Sequence, residues 1–168
     1  VFRLRQAFTI SRGSRTEAQV LTVTVRDGDA EGRGECVPYA RYGETLDSVT
    51  AQIEGLSPDG LTCETLSGRL PAGAARNAVD CALWDLKAKR TGRPVWRLAG
   101  LTEPGPLQTA YTLSLDAPDR MREAAAQNAH RPLLKVKLGT PDDMPRLEAV
   151  RAGAPETRII VDANEGWS

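Results

Sequence analysis

Two short segments carry residues whose types and spacing could do chemistry. In Leu133-Leu-Lys-Val-Lys-Leu-Gly139, Lys135 and Lys137 stand two apart. In an extended strand, residues two apart point to one face, so both lysines share a side and Leu134, Val136 and Leu138 take the other. If the apolar side packs on helices, as in a barrel with its helices outside, both lysines face the interior. Two ammonium groups crowded out of water are costly unless something uses or balances them. The same crowding favours loss of a proton from one of them, the state that a lysine general base requires. An edge strand with one wet face also alternates lysines. The place of this strand, in the middle of a strand–helix run, favours the interior reading.

The second segment is Arg158-Ile-Ile-Val-Asp-Ala-Asn164. Ile159, Ile160 and Val161 read as a buried parallel strand, with Asp162 at its C-terminal end. Open α/β sheets and barrels put their functional groups at that end. A carboxylate there suits a hard divalent ion such as Mg²⁺, which takes oxygen ligands. Asn164 either supports that ligand from behind or forms the turn, and an isolated Asp also serves to start a turn or cap a helix. The combination says more than either segment. A lysine base on one strand and a metal-binding Asp on the next describe removal of a proton alpha to a carboxylate. The resulting dianion needs a metal and nearby cations.

The elements that must position these residues follow from pattern. Residues 2–8 and 20–26 alternate as half-buried strands, with Leu21, Val23 and Val25 on one face of the second. Asp27-Gly28-Asp29 makes a turn, and residues 32–37 return as an antiparallel partner. Helical spacing follows over 45–56, over 62–70 and most strongly over 72–90, where Gly92 and Pro94 stop the helix. Strands followed by helices make an α+β domain. Beyond Gly100 the order changes. Strand 107–113, helix 116–128, strand 133–138, helix 140–152 and strand 158–162 imply parallel βαβ units with right-handed crossovers. The chain therefore divides at about residue 100, into an α+β domain over 1–100 and the first units of a parallel α/β fold over 101–168. Three parallel strands leave two edges and too little core, and with the lack of an initiator Met this reads as a fragment.

Composition removes several classes of function. Among 168 residues, Lys and Arg total 22 and Asp and Glu total 22, so the net charge is zero. Nucleic-acid binding needs a basic excess or stripe. No apolar run approaches the roughly 20 residues that cross a bilayer, and the first ten residues contain no signal-peptide core. We read the chain as soluble and cytoplasmic, with neither nucleic acid nor membrane as a partner. Cys36, Cys63 and Cys81 form no metal or disulfide framework and are expected as small core residues. His130 is the only histidine and belongs to a polar surface loop, so no multi-histidine site or His-dependent triad lies within this chain.

These motifs resemble the enolase superfamily, in its muconate-lactonizing subgroup, nearly from end to end. Lys135-x-Lys137 resembles the subgroup's lysine strand, whose second lysine is the base. Asp162-Ala-Asn-Glu-Gly-Trp resembles its first metal-ligand motif, and Asn77-Ala-Val-Asp-Cys-Ala-Leu-Trp-Asp-Leu resembles the long helix that begins its barrel region. The resemblance implies an α+β capping domain followed by the start of a modified (β/α) TIM-type barrel. It is nearest to the dipeptide epimerases, on Phe8-Thr-Ile-Ser-Arg-Gly-Ser-Arg-Thr-Glu in the first hairpin loop and Thr109-Ala-Tyr-Thr-Leu-Ser-Leu on the first barrel strand. It implies an isomerase that inverts the alpha carbon of the C-terminal residue of a dipeptide such as L-Ala-L-Glu, by lysine-mediated proton transfer through a metal-stabilised enediolate.

The same resemblance assigns roles. Lys137 is the base on one face, and Lys135 holds the substrate carboxylate. Thr112 contacts substrate, and Arg12, or alternatively Arg15, reaches a substrate carboxylate. Asp162 binds one Mg²⁺, with Asn164 behind it. The remaining metal ligands and a second lysine lie beyond residue 168, so the fragment alone is expected to be inactive. The full protein is expected to take a small dipeptide or carboxylate substrate and to form a homo-oligomer. An N-acylamino acid racemase, an o-succinylbenzoate synthase or a muconate cycloisomerase shares the lysine strand and the metal Asp. A non-catalytic module that binds a small anion is the reading from a different class, and it predicts no metal dependence.

Overall fold

The computed structural model describes residues 1–141 and 143–167. By contact they form two compact units, Val1–Phe2 with Ala18–Gly105 and Arg3–Glu17 with Pro106–Ser168.

In the first unit, β3 (Leu21–Asp27) pairs antiparallel with β4 (Ala30–Cys36), in register from Leu21↔Cys36 to Asp27↔Ala30. Three helices follow, α1 (Leu46–Glu54), α2 (Cys63–Leu66) and α3 (Ala74–Thr91), and then the single turn α4 (Val95–Leu98). Residue choice explains the starts. Thr45 with Ser48, and Thr62 with Thr65, form reciprocal capping boxes, which satisfy backbone N–H groups that a helix start leaves open. Glu44 Oε1 accepts from the Ala74 backbone N–H at 2.6 Å and so caps α3 from outside the helix. Gly92, at φ 65°, ends it. Helix α2 is shorter than the spacing over 62–70 predicts, because Gly68 and Pro71 flank its end.

Helix α3 buries Ala75, Ala78, Val79, Ala82, Leu83 and Leu86 along one stripe, against Val23, Cys36, Val49, Leu66 and Leu70. Its small residues have a direct purpose. Gly32 and Gly34 of β4 lie against the carbonyls of Ala82 and Ala78, and a Cβ on either glycine would collide with them. Backbone thus packs on backbone. Cys36 is buried, Cys63 half-buried and Cys81 exposed, so the expectation of a core role fails for Cys81. About 100° of helical rotation per residue carries that position off the inward stripe.

The second unit holds a three-stranded parallel sheet, β5 (Tyr111–Leu113), β6 (Leu133–Lys137) and β7 (Arg158–Asp162), in the order β5-β6-β7. The intervening helices are α5 (Pro118–Gln127) and α6 (Asp143–Gly153). Leu134, Val136 and Leu138 are buried with Leu113, Met121, Ala125, Val150 and Ala154, each large aliphatic contributing about 1.5–3 kcal/mol of transfer free energy. The strand over 107–113 shortens to its last three residues. The first pairing is Tyr111↔Leu134, and β6 cannot extend backward through Pro132, which has no N–H to offer.

A hairpin of β1 (Phe2–Ile10) and β2 (Gly13–Ala18) belongs largely to this unit. Leu115 N–H donates to Thr9 O at 3.1 Å, and Ser114 Oγ donates to Ala7 O at 3.4 Å. Strand β2 lies where the sequence reads as loop. Its residues are polar and largely exposed, so no apolar alternation marks it. Among the described residues, no helix is long and apolar enough to cross a membrane.

Candidate functional site

The site grows from the register of two strands. Lys137 pairs with Asp162 and Lys135 with Ile160, which puts both lysines on the sheet face opposite the buried Leu134 and Val136. Asp162 Oδ2 accepts from Lys137 Nζ at 2.7 Å and lies 2.8 Å from Lys135 Nζ. Lys137 Nζ also donates to Asn164 Oδ1 at 2.8 Å, while the Asn164 backbone N–H donates to Asp162 Oδ1 at 2.9 Å. The Lys137 side chain is 7% exposed and that of Lys135 35%. One carboxylate therefore separates two ammonium groups that would otherwise repel. The bonds from Lys135 and Lys137, with the Asn164 N–H, hold the Asp162 carboxyl far below the ordinary carboxylate range despite partial burial.

Two ammonium charges against one carboxylate leave one positive charge on this face, the sign that an anionic ligand requires. Thr112 stands beside Lys135 on the neighbouring strand, in the pairing Thr112↔Lys135, and is half-buried.

The hairpin brings further groups to the same place. Ser11 Oγ donates to Ala163 O at 3.1 Å, and Arg12 Nη1 donates to Asn164 O at 2.5 Å with Glu165 4.0 Å away. Arg15 has a different setting. Its guanidinium lies over the Phe8 ring at 5.5 Å, and Lys137 Nζ lies 5.8 Å from that same ring, a separation at which a cation and an aromatic face attract. All seven residues singled out in the sequence thus fall in one unit. Five of them surround the seventh, Lys137, by direct bonds, shared partners or adjacent pairing, and Arg15 is joined through Phe8.

Four residues received no role from the sequence. Ser11 and Phe8 act through the hairpin, whose pairing no apolar pattern announces. Asp143 and Trp167 meet across strand ends, with Trp167 Nε1 donating to Asp143 Oδ2 at 2.7 Å. Their signals were the acidic start of the helix over 140–152 and the Trp that closes the Asp162-Ala-Asn-Glu-Gly-Trp segment, neither of which gave a role.

The donors present suit a hard cation in kind but not in number. Asp162 and Asn164 offer oxygen at the C-terminal end of β7. Among the described residues, no group of three or more His, Cys, Asp or Glu could hold a metal ion.

Residues 1–100 match the family described as mandelate racemase / muconate lactonizing enzyme, N-terminal domain. The chain belongs to this family, within the enolase superfamily. It is 47% identical to the L-Ala-D/L-Glu epimerase of Escherichia coli K12, covering 98% of this chain and 53% of that protein. Among solved structures, it superimposes at a TM-score of 0.94, with 56% identity, on an enolase family member from Agrobacterium tumefaciens with homology to dipeptide epimerases. That structure holds sodium and L-Ala-L-Glu, and the match covers 99% of this chain and 52% of that one. The dipeptide epimerase of Cytophaga hutchinsonii, complexed with Mg and D-Ala-L-Val, matches at a TM-score of 0.87 with 29% identity, over 99% of this chain and 50% of that one. The chain spans about half the length of the family members that it matches. Most of their names are of epimerases, with racemases such as the N-acetyl-D-glutamate racemase of a Pseudoalteromonas species among them, and the two structures above carry a metal ion and a dipeptide.

Proposed function

We propose that this chain carries the N-terminal half of a Mg²⁺-dependent dipeptide epimerase, with residues 1–100 as capping domain and 101–168 as the first units of the barrel. The substrate is a dipeptide such as L-Ala-L-Glu, and the reaction inverts the alpha carbon of its C-terminal residue. The observation that carries this reading is the buried Lys137 ammonium, shared between Asp162 and Asn164 with Lys135 on the same carboxylate. A solvated pair on a wet strand face has no such arrangement.

Lys137, as the free amine, takes the alpha proton from one face of the substrate. The C–H bond breaks, its electron pair moves into the carboxylate, and Lys137 becomes the ammonium. A proton donor outside this chain delivers to the opposite face. Lys135 and Thr112 bind the substrate carboxylate. Of the two hairpin arginines, Arg12 is engaged with Asn164 and Glu165, so Arg15 is the better placed to meet an acidic second side chain. Asp162 is the chain's metal ligand, with Asn164 fixing its orientation. When bound, Mg²⁺ supplies positive charge where the enediolate develops. The other ligands lie outside these residues.

The test follows alpha-deuterium incorporation by NMR, with the complete protein in D₂O, Mg²⁺ and L-Ala-L-Glu. Exchange in the wild type should fall about 10²–10⁴-fold in Lys137→Ala and should vanish with chelator. Exchange only with other N-acylated or dicarboxylic substrates would keep the proton transfer and replace the substrate. Absence of exchange with any of them would favour an anion-binding module. These 168 residues alone should show no turnover.

A further inference from the structure

The loop after β7 turns in a costly way. Asn164 and Glu165 both have positive φ, 50° and 62°, and Gly166 N–H donates to Ala163 O at 2.9 Å, which closes a primed β-turn. Outside glycine the left-handed conformation costs about 1–2 kcal/mol per residue, and glutamate lacks the short polar side chain that eases it for asparagine. Such a turn persists only where its surroundings hold it from both sides. On one side Arg12 holds Asn164 O, and Asp162 Oδ1 holds Asn164 N–H. On the other stands Asp143, whose partners the proton-transfer scheme leaves unused.

Asp143 is buried, 8% exposed, at the start of α6. Its carboxylate accepts from Gly139 N–H at 2.8 Å, from Thr140 N–H at 3.1 Å, from Thr140 Oγ1 at 3.2 Å and from Trp167 Nε1 at 2.7 Å. Arg146 Nη1 lies 3.9 Å away. Arg146 in turn donates to Thr140 Oγ1 at 2.6 Å and to Asp116 O at 2.8 Å. One ion pair, with Asp143 buried and Arg146 half-buried, therefore touches the loops that follow β5, β6 and β7. The last two loops also meet through glycine, since a Cβ on Gly166 would stand 2.7 Å from Gly139 O. Trp167 is 57% exposed, so apolar burial does not hold it down; its bond to Asp143 does.

We propose that Asp143 is a positioning residue which, through Trp167, holds the left-handed turn at Asn164–Glu165 and so fixes Asn164 and Asp162 against Lys137. Its kinetic consequence rests on the epimerase reading; its structural consequence does not. Replacing Trp167 by Phe keeps an aromatic ring and removes only the N–H. Asp143→Asn removes the charge and turns an N–H₂ toward donors.

The experiment uses the complete protein and two readouts. In ¹H–¹⁵N spectra, the Asn164 side-chain amide should move in both Trp167→Phe and Asp143→Asn. Adding Glu165→Asn, which tolerates the left-handed turn, should return it toward its wild-type position in the Trp167→Phe background. In alpha-proton exchange, kcat should fall about tenfold or more in Trp167→Phe with KM little changed, the cost of a misplaced reacting group. An unmoved Asn164 amide in both variants, or a Trp167→Phe enzyme with wild-type kcat, would overturn the proposal. If the wild type exchanges no alpha proton, the epimerase reading fails, and the Asn164 resonance still decides the role of Asp143.

Discussion

On α3, Lys87 Nζ lies 2.9 Å from Glu64 Oε1, with the two side chains 41% and 67% exposed. On β6, Lys137 Nζ lies 2.7 Å from Asp162 Oδ2, at 7% and 26%. The contacts are alike in length and chemistry, and their surroundings separate them. Around α3, water solvates both partners and salt screens them, so the pair is worth little. The fold there is held by small residues packing backbone to backbone, with the charges outside. In the parallel sheet the charges turn inward, where desolvation is expensive and a single carboxylate must serve two ammonium groups. A lysine–carboxylate distance alone is thus a poor guide to importance. What distinguishes the pairs is which other groups depend on the same oxygen.

Asp162→Asn is the strongest attempt to break this comparison. It leaves Lys135 and Lys137 facing each other without a countercharge, and should cost toward the low end of about 3–5 kcal/mol in denaturant unfolding as well as abolishing exchange. A neutral result would put the inward pair in the same class as the outward one. Gly34→Ala attacks the other half, driving a Cβ into the Ala78 carbonyl. Overpacking of this kind should cost about 1–3 kcal/mol in thermal melts, while the Asn164 amide resonance stays where it is.

Acid titration sharpens the contrast more gently. Lys135 and Lys137 depress Asp162, and Lys87 holds Glu64 down to about 2. At Asp162 this depression contributes stability that is present above the unfolded value, near 4, and is lost as pH falls through the folded one; at the fully exposed Glu64 solvent screening leaves little of it. Carboxyl-carbon NMR should find both groups ionised at pH 3. Adding about 1 M salt should return Glu64 toward its ordinary value and leave Asp162 where it was. Lys87→Ala should have the smallest effect, with a melting temperature indistinguishable from wild type.

Much of the site was legible because strand periodicity is a rigid rule. Lys135 and Lys137 had to share a face, and Asp162 had to fall at a strand end. The helix starts at Thr45 and Thr62 were equally local, since capping chemistry is written within four residues. What escaped reading depends on partners far along the chain. Strand β2 has no apolar pattern because its residues stay exposed. Asp143 looks like any acidic helix start until Trp167 arrives 24 residues later. Arg12 and Arg15 are three apart in one hairpin, and their types do not say which of them the Asn164 carbonyl will engage.

By itself the sequence determined which residues could do chemistry, the α+β order followed by parallel units, and the resemblance that the family match then showed, because these rest on residue type and short-range spacing. Only the tertiary structure decided that Asp162 lies between both lysines, that Phe8 links Arg15 to Lys137, and that one buried aspartate ties the strand-end loops together. Those facts depend on register and loop closure, where a shift of one residue would have turned every lysine to the other face.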